Sequence, residues 1–109
     1  MTYDFNTAVN YPIPNLMGGE GTVYAKVIPC NTGSVMCATI PPKCSIGFHD
    51  HSEDTDFNYI VSGTGKAICD GVEEPLAPGM CHICYKGSRH SIINTGDEDL
   101  VIYIAVVNM

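Results

Sequence analysis

One stretch of the chain decides the fold, Gly47-Phe-His-Asp-His-Ser-Glu-Asp-Thr-Asp-Phe-Asn-Tyr-Ile-Val-Ser-Gly63. His49 and His51 stand two residues apart, so their imidazoles share one face if the segment is a β-strand. Two nitrogens on one face of a strand can reach a single metal ion at about 2.0–2.1 Å. The stretch therefore predicts a metal site carried by β-strands.

Two further residues complete the candidate ligand set. Asp56 follows a polar turn of four residues, so a hairpin would return its carboxylate to the two histidines. His90, in Gly87-Ser88-Arg89-His90, stands at the head of a later strand. A lone histidine is more often a surface or core residue, but His-x-His with a downstream acid and a third histidine is much more specific. Three imidazoles and a carboxylate suit one divalent ion of Mn, Fe, Co, Ni, Cu or Zn.

A rival carboxylate lies in the same turn. Glu53 is the alternative to Asp56, although its position in the middle of the turn favours a solvated side chain. A site with three histidines and no carboxylate is the third possibility. We expect Asp56 to be the ligand.

The two-residue period of a strand predicts which residues near the candidate ligands share their face of the strand. Asn58 shares the strand face of Asp56, and Ile92 and Asn94 share that of His90, so we expect these three side chains near the cavity. A structural role is expected for His82 and Tyr85, and an outward position for Arg89. No catalytic residue is assigned.

The rest of the chain consists of short apolar segments separated by turn residues. The predicted strands are Thr22–Ile28, Ser34–Ile40, Ile46–His51, Asp56–Ser62, Lys66–Asp70, Val72–Leu76, Met80–Tyr85, His90–Asn94 and Leu100–Val107. Asp70-Gly71 is a dipeptide typical of a type I′ hairpin turn. Strands that recur about every ten residues predict an all-β antiparallel sandwich or barrel.

Length and charge limit the organisation and the partners. The 109 residues suit a single domain, with residues 1–20 as an extended N-terminal arm and 34–107 as the barrel. The formal net charge of -7 disfavours nucleic acid and anionic membranes as partners. The start of the chain has neither the basic nor the apolar segment of a secretion signal, so we expect a cytoplasmic protein.

The six cysteines are expected to be free thiols and not metal ligands. Cys81 and Cys84 form a C-x-x-C pattern, but it lies in a predicted strand. Residues three apart on a strand point to opposite faces and cannot share a metal ion. A cytoplasmic location also disfavours disulfides.

The last predicted strand, Leu-Val-Ile-Tyr-Ile-Ala-Val-Val over 100–107, is apolar on both faces. Its outer face should therefore also be covered. Either the N-terminal arm or a second subunit could cover it, and we favour a homodimer.

The chain resembles the cupin family through two motifs. In the first, His49-x-His51 is followed by four residues, Asp56, six residues and Gly63, with Asp where the family pattern has Glu. The second is Gly87-x2-His90-x3-Asn94, in which the usual proline two residues before the glycine is missing. The glycine that opens the family's first motif stands six residues before the first histidine, whereas Gly47 stands two residues before His49. The resemblance covers about residues 34–107.

The resemblance implies a small jelly-roll barrel in which His49, His51, Asp56 and His90 hold one metal ion. Four protein ligands leave an octahedral ion two open positions, which would allow an enzyme of the oxygenase, lyase, isomerase or decarboxylase type to act on a small polar organic molecule. The alternative is a non-catalytic module that binds or senses a sugar or an organic acid, with a structural metal. A metal-free structural barrel is the third reading, and tetrahedral zinc with these four ligands would be closed to substrate.

Overall fold

The computed structural model describes residues 1–108, and its regular structure is almost entirely β. The strands are β1 Tyr11–Pro14, β2 Thr22–Cys30, β3 Gly33–Ile40, β4 Ser45–Asp50, β5 Asp54–Ser62, β6 Gly65–Cys69, β7 Val72–Leu76, β8 Cys81–Cys84, β9 Arg89–Asn94 and β10 Leu100–Asn108. A 3-10 turn, η1, spans Leu16–Gly18. Among the described residues, no helix is long and apolar enough to cross a membrane. Each of the nine strands predicted from the sequence is present, with ends within two residues of those expected.

The strands form two antiparallel sheets, which confirms the all-β jelly-roll barrel. The larger sheet has the order β1-β2-β3-β10-β5-β8, and the smaller has the order β4-β9-β6-β7. β1 was not among the predicted strands; it pairs with β2 and extends the edge of the larger sheet. The core holds apolar side chains from both sheets: Val23, Ala38, Ile40, Ile46, Ile60, Ala67, Leu76, Ile92, Leu100, Ile102 and Ile104.

β10 lies in the middle of the larger sheet, between β3 and β5. Its inward side chains Leu100, Ile102 and Ile104 are buried, whereas Tyr103 on the outer face is 47% exposed. The ring of Phe5 stacks on that of Tyr103, with centroids 5.8 Å apart. The N-terminal segment therefore covers part of the outer face.

An irregularity in β4 sets the direction of the histidines. Ile46 pairs with Ile92 and His49 with His90, so three steps along β4 match two along β9. This β-bulge brings His49 to the inner face on which Ile46 is buried, although the two are an odd number of residues apart. Simple alternation from Ile46 would have turned the histidines outward.

Gly47 lies within this bulge, and η1 packs closely against it. A Cβ at this position would lie 2.2 Å from the backbone oxygen of Met17 and 2.7 Å from the nitrogen of Gly19. A side chain at Gly47 would therefore displace the turn that closes this end of the barrel.

The hairpin between β6 and β7 is of the predicted kind. Asp70 and Gly71 both have positive φ, 49° and 81°, as a type I′ turn requires. Gly63 has the same φ of 81°, but its surroundings differ. A Cβ on Gly63 would lie 2.3 Å from the backbone oxygen of Asp99, whereas one on Gly71 would have no atom within 4 Å.

These two glycines give a matched test of packing around the motif. Gly71→Ala should lower the free energy of unfolding by about 1–2 kcal/mol, because alanine resists the left-handed conformation. Gly63→Ala has the same backbone cost and also a steric clash. It should therefore lower the free energy of unfolding by about 1 kcal/mol or more beyond the effect of Gly71→Ala. Urea denaturation of both variants measures the difference. Equal losses would contradict the close packing of Gly63 against the strand that begins at Leu100.

Candidate metal centre

Three neighbouring strands bring the predicted ligands together. His49 lies near the end of β4, and His51 follows that strand directly. His90 stands on β9, paired in register with His49. Asp56 is the third residue of β5, because that strand begins at Asp54, two residues earlier than expected. Two strands of the smaller sheet and one of the larger therefore meet at a single point.

The candidate ligand atoms converge within a few ångströms. His90 Nε2 lies 2.9 Å from His49 Nε2, 3.1 Å from His51 Nε2 and 3.1 Å from Asp56 Oδ2. His51 Nε2 lies 3.3 Å from Asp56 Oδ2. One ligand atom from each of the four residues lies within 4.8 Å of all the others. His49 is half-buried and the other three are buried.

Hydrogen bonds at the opposite ring nitrogens assign the tautomers of His49 and His51. His49 Nδ1 lies 2.8 Å from the Gly47 carbonyl oxygen, which can only accept a hydrogen bond. His51 Nδ1 lies 2.6 Å from Asp54 Oδ1, a carboxylate oxygen that also accepts. In the neutral form of each ring, Nδ1 therefore carries the proton and an Nε2 lone pair faces the centre.

A chain of side chains assigns the tautomer of His90 in the same way. His82 Nδ1 lies 3.1 Å from Glu74 Oε1, so it donates to that carboxylate. In its neutral form His82 then accepts at Nε2, which lies 2.9 Å from His90 Nδ1. His90 donates to His82, and its own Nε2 lone pair also points to the centre.

The electrostatics of His49 and Asp56 favour the forms in which these two groups bind a metal. Burial lowers the pKa of His49 and so favours its neutral form. Burial alone would raise the pKa of Asp56, but the close polar contacts of its carboxylate with His90 and Asn58, together with the nearby imidazoles, hold it below its usual value. A neutral imidazole and an ionised carboxylate are the states in which these groups coordinate metals.

The donor set fits a divalent cation. In these tautomers three lone pairs converge with a carboxylate oxygen, so their mutual repulsion favours a positive ion at the centre. Adjacent ligands of an octahedral ion with bonds of about 2.1 Å lie about 3.0 Å apart, against about 3.4 Å for a tetrahedral ion. Three of the four short separations, at 2.9, 3.1 and 3.1 Å, lie nearer the octahedral value, and the fourth, at 3.3 Å, lies nearer the tetrahedral value. The His49, His51, Asp56 and His90 cluster could therefore hold one metal ion.

Other candidate residues lie apart from this cluster. Glu53 is exposed in the turn after β4 and is absent from the group of converging ligand atoms. Arg89 points outward, as expected, and its Nε lies 2.7 Å from Asp50 Oδ1. Asn94 does not line the cavity: its amide nitrogen donates to the backbone oxygens of Ile40 and Glu98. It was expected near the cavity because strand parity predicts the face but not the distance from the ligands.

The cysteines are also separate from the cluster. Cys81 is exposed and Cys84 is buried, as the strand parity of the C-x-x-C pattern predicts. Burial, with the neighbouring Cys69, raises the pKa of Cys84 to about 12. Cys84 therefore stays protonated at neutral pH, and a protonated thiol is a poor metal ligand.

Sequence reasoning missed two residues that orient the ligands. Asp54 was read as part of the turn, although it holds the ring of His51. His82 was given a structural role, and its contact with His90 depends on the arrangement of strands from different sheets. A buried histidine in an apolar strand was the available signal, but the position of β8 beside β5 is not visible in the sequence.

A cavity of about 270 Å³ opens beside the ligand cluster. Twelve of the seventeen residues that line it are apolar, and the others are the four clustered ligands and Asn58. Asn58 is fully buried and donates its amide to Asp56 Oδ2 at 3.0 Å and to the His82 carbonyl oxygen at 3.2 Å. The cavity is therefore apolar, with its polar groups gathered at one end.

Comparisons with known proteins agree on a family. The family model described as "Cupin domain" matches residues 36–107. An "Oxalate-binding protein" from Thermotoga maritima is 32% identical over 101 residues, which cover 87% of this chain and 83% of that protein. A crystal structure described as a "predicted oxalate decarboxylase" from Thermotoga maritima superposes with a TM-score of 0.95, at 25% identity and over the whole of both chains. A conserved protein with a double-stranded β-helix domain from Klebsiella pneumoniae has a TM-score of 0.77 at 20% identity, over 98% of this chain and 89% of that one, which supports the fold alone.

The carboxylate assignment is tested by two matched variants. Asp56→Asn removes the negative charge but keeps the shape, and metal affinity should fall by more than the 10–100-fold typical of an outer-shell change. Glu53→Gln makes the same change on the exposed turn and should leave the affinity unaltered. Metal titration at a fixed pH measures both, because protons compete for the imidazoles. Loss of the metal in Glu53→Gln alone would assign the carboxylate to Glu53, and no loss in either would indicate a site with three histidines.

The orienting role of His82 is tested by removing its acceptor nitrogen. His82→Leu should lower metal affinity by about 10–100-fold, because the Nδ1 proton of His90 loses its partner and the ring loses its fixed orientation. His82→Gln should lose less, since its amide oxygen can still accept that hydrogen bond. Metal titration, with circular dichroism to check the fold, measures both variants. Equal affinities for the two variants and the parent would exclude a positioning role.

Proposed function

The chain belongs to the cupin domain family, and we propose that it is an enzyme that acts on a small organic molecule at one divalent metal ion. The proposed ligands are His49, His51, Asp56 and His90. One observation carries the proposal: three Nε2 lone pairs and a carboxylate oxygen converge beside a cavity large enough for a small molecule.

The metal would supply a Lewis acid that polarises a substrate or activates water. The residues of the chain prepare the site for it. Asp54, His82 and the Gly47 carbonyl fix the rings of the three histidines, and Asn58 holds the carboxylate of Asp56. The apolar walls limit the access of water, which strengthens electrostatic interactions in the site. Oxygenase, lyase, isomerase and decarboxylase chemistry all suit this arrangement.

A second candidate is a module that binds its ligand without changing it. Apart from the four proposed ligands, Asn58 is the polar residue in the lining of the cavity, and an amide does not serve as a general acid or base. A relative named as an oxalate-binding protein also supports a small-molecule ligand. In this reading the metal anchors the ligand and no bond is broken.

We also propose a homodimer in which a second copy covers the outer face of the larger sheet. Tyr59 and Tyr103 are 49% and 47% exposed on that face, and Val61 is exposed at 37%. Phe5 covers part of the Tyr103 ring and leaves the other side chains open. Grouped apolar side chains of this kind favour association between subunits.

Metal content and coordination number test the proposed function. Protein purified without chelator or affinity metal, then loaded with Mn, Fe, Co, Ni, Cu or Zn, should hold about one ion per chain. X-ray absorption should find six-coordination, because four protein ligands leave two positions to solvent. If the NMR signals of a small organic compound added to the metal-loaded protein then disappear, the protein is an enzyme. If the compound binds and its signals remain unchanged, the protein is a binding module. Four-coordinate zinc would indicate a closed structural site, and a failure to take up any metal would overturn the proposal.

A further inference from the structure

The exposure of the lining residues locates the entrance of the cavity. Among the residues that the structure describes, two of those that line the cavity are exposed, Met17 at 58% and Val27 at 41%. Val27 lies on β2 in the same alternating series as Val23 and Ala25, which are buried. An inner-face position of a strand that is nevertheless exposed marks the place where the barrel opens. Solvent therefore reaches the cavity where Met17 on η1 and Val27 on β2 border it.

Met17 has an unusual backbone conformation. Its φ of 53° and ψ of 31° lie in the left-handed region, which residues other than glycine rarely adopt because of their Cβ atom. The next two residues, Gly18 and Gly19, are both glycines. A methionine at position 17 therefore carries a backbone strain that a third glycine would avoid.

The contacts of η1 hold Met17 in this conformation. The backbone N–H of Gly19 donates to the carbonyl oxygen of Leu16 at 2.9 Å, and the side-chain amide of Asn15 donates to the carbonyl oxygen of Gly19 at 3.1 Å. Gly47 lies so close to the other side of the turn that a Cβ there would be 2.2 Å from the Met17 carbonyl oxygen. Strain that the surrounding structure maintains is typical of functional positions.

Packing does not account for the side chain of Met17. More than half of this residue is exposed, whereas its neighbour Leu16 is partly buried and packs against the core. The stabilisation from apolar burial grows with the area removed from water, so an exposed side chain contributes little. A methionine has three rotatable bonds, which allow it to cover an opening or to move aside. The entrance of the cavity therefore explains Met17 better than the core does.

On the basis of the proposed metal site, we propose that Met17 narrows the entrance of the cavity and so determines, by size, which small molecules reach that site. Its backbone conformation keeps the side chain at the opening, and Val27 forms the other border. Narrow molecules pass when the side chain turns aside, and broad molecules are excluded. Met17 is in this sense a specificity-determining residue, and it lies outside the cluster of metal ligands.

Two chelators with the same donor atoms and different sizes test the entrance. They are 1,10-phenanthroline and its larger diphenyl disulfonate derivative, each added in excess to protein loaded with the divalent ion that it takes up best. The absorbance of the chelate gives a second-order rate constant for removal of the ion. Met17→Gly should raise this constant at least about tenfold for the larger chelator, because the parent admits it only in a minor conformation. The constant for the smaller chelator should rise much less.

The opposite border provides a matched pair of variants. Val27 and Val35 have similar exposures, 41% and 39%, but Val27 borders the entrance and Val35 lies on the outer face of β3. Val27→Phe should lower the rate constant for the larger chelator more than that for the smaller one, because it adds bulk at the opening. Val35→Phe makes the same change away from the cavity and should alter neither constant.

Stability separates the side chain of Met17 from its backbone. Met17→Gly should not lower the urea midpoint, because the relief of left-handed strain exceeds the entropy that glycine adds to the unfolded chain. Met17→Ala removes most of the side chain but keeps the Cβ and its strain. It should match Met17→Gly in its reaction with the larger chelator and unfold at a lower urea concentration than Met17→Gly.

The outcomes distinguish this inference from the proposed function. A protein that takes up no metal overturns the proposed function and the role of Met17 together. If a metal-loaded Met17→Gly reacts with both chelators as the parent does, or faster with both by the same factor, the role of Met17 alone is wrong. A urea midpoint well below that of the parent would assign the side chain to packing. Ion removal at a rate independent of chelator concentration would show that the ion leaves before the chelator enters, which also contradicts the proposal.

Discussion

Four acceptor groups meet in a largely buried space, and the other features of the site are arranged around this constraint. The Nε2 lone pairs of His49, His51 and His90 converge with a carboxylate oxygen of Asp56, and like-signed partial charges at about 3 Å repel one another. Protons held at the Nδ1 atoms prevent the rings from adopting the other tautomer, which would relieve the repulsion. The orienting groups therefore preserve an arrangement that favours a cation at its centre.

The barrel makes this arrangement possible because it fixes positions that are far apart in the chain. His51 and His90 are separated by 39 residues, yet their ring nitrogens lie 3.1 Å apart. The bulge in β4 is essential, since it turns the histidines to the face that carries the core. Gly47 permits both the bulge and the close approach of η1. The position of this glycine, two residues before His49, follows from that local packing.

The sequence predicts the parts of the structure that depend on local pattern. Strand ends, the type I′ turn at Asp70-Gly71 and the shared face of His49 and His51 all follow from alternation and turn chemistry. The roles of Asp54 and His82 depend on contacts between segments, and a two-residue period contains no information on which strands become neighbours. The sequence did not predict the short β1 for a related reason. Its Tyr-Pro-Ile-Pro sequence has two prolines, which are compatible with an edge strand but are equally typical of an extended segment outside a sheet.

The same alternation that builds the core also limits the chemistry of the cavity. Inward positions of β2, β3 and β10 must be apolar because they stabilise the packing of the two sheets, so the wall opposite the ligands carries no charge. Any positive charge in the lining of the cavity would then come from a metal ion held by the cluster. A single cation placed on the apolar wall would change the charge of the cavity, so the preference for a ligand can shift between members of one fold while the residues of the cluster stay the same.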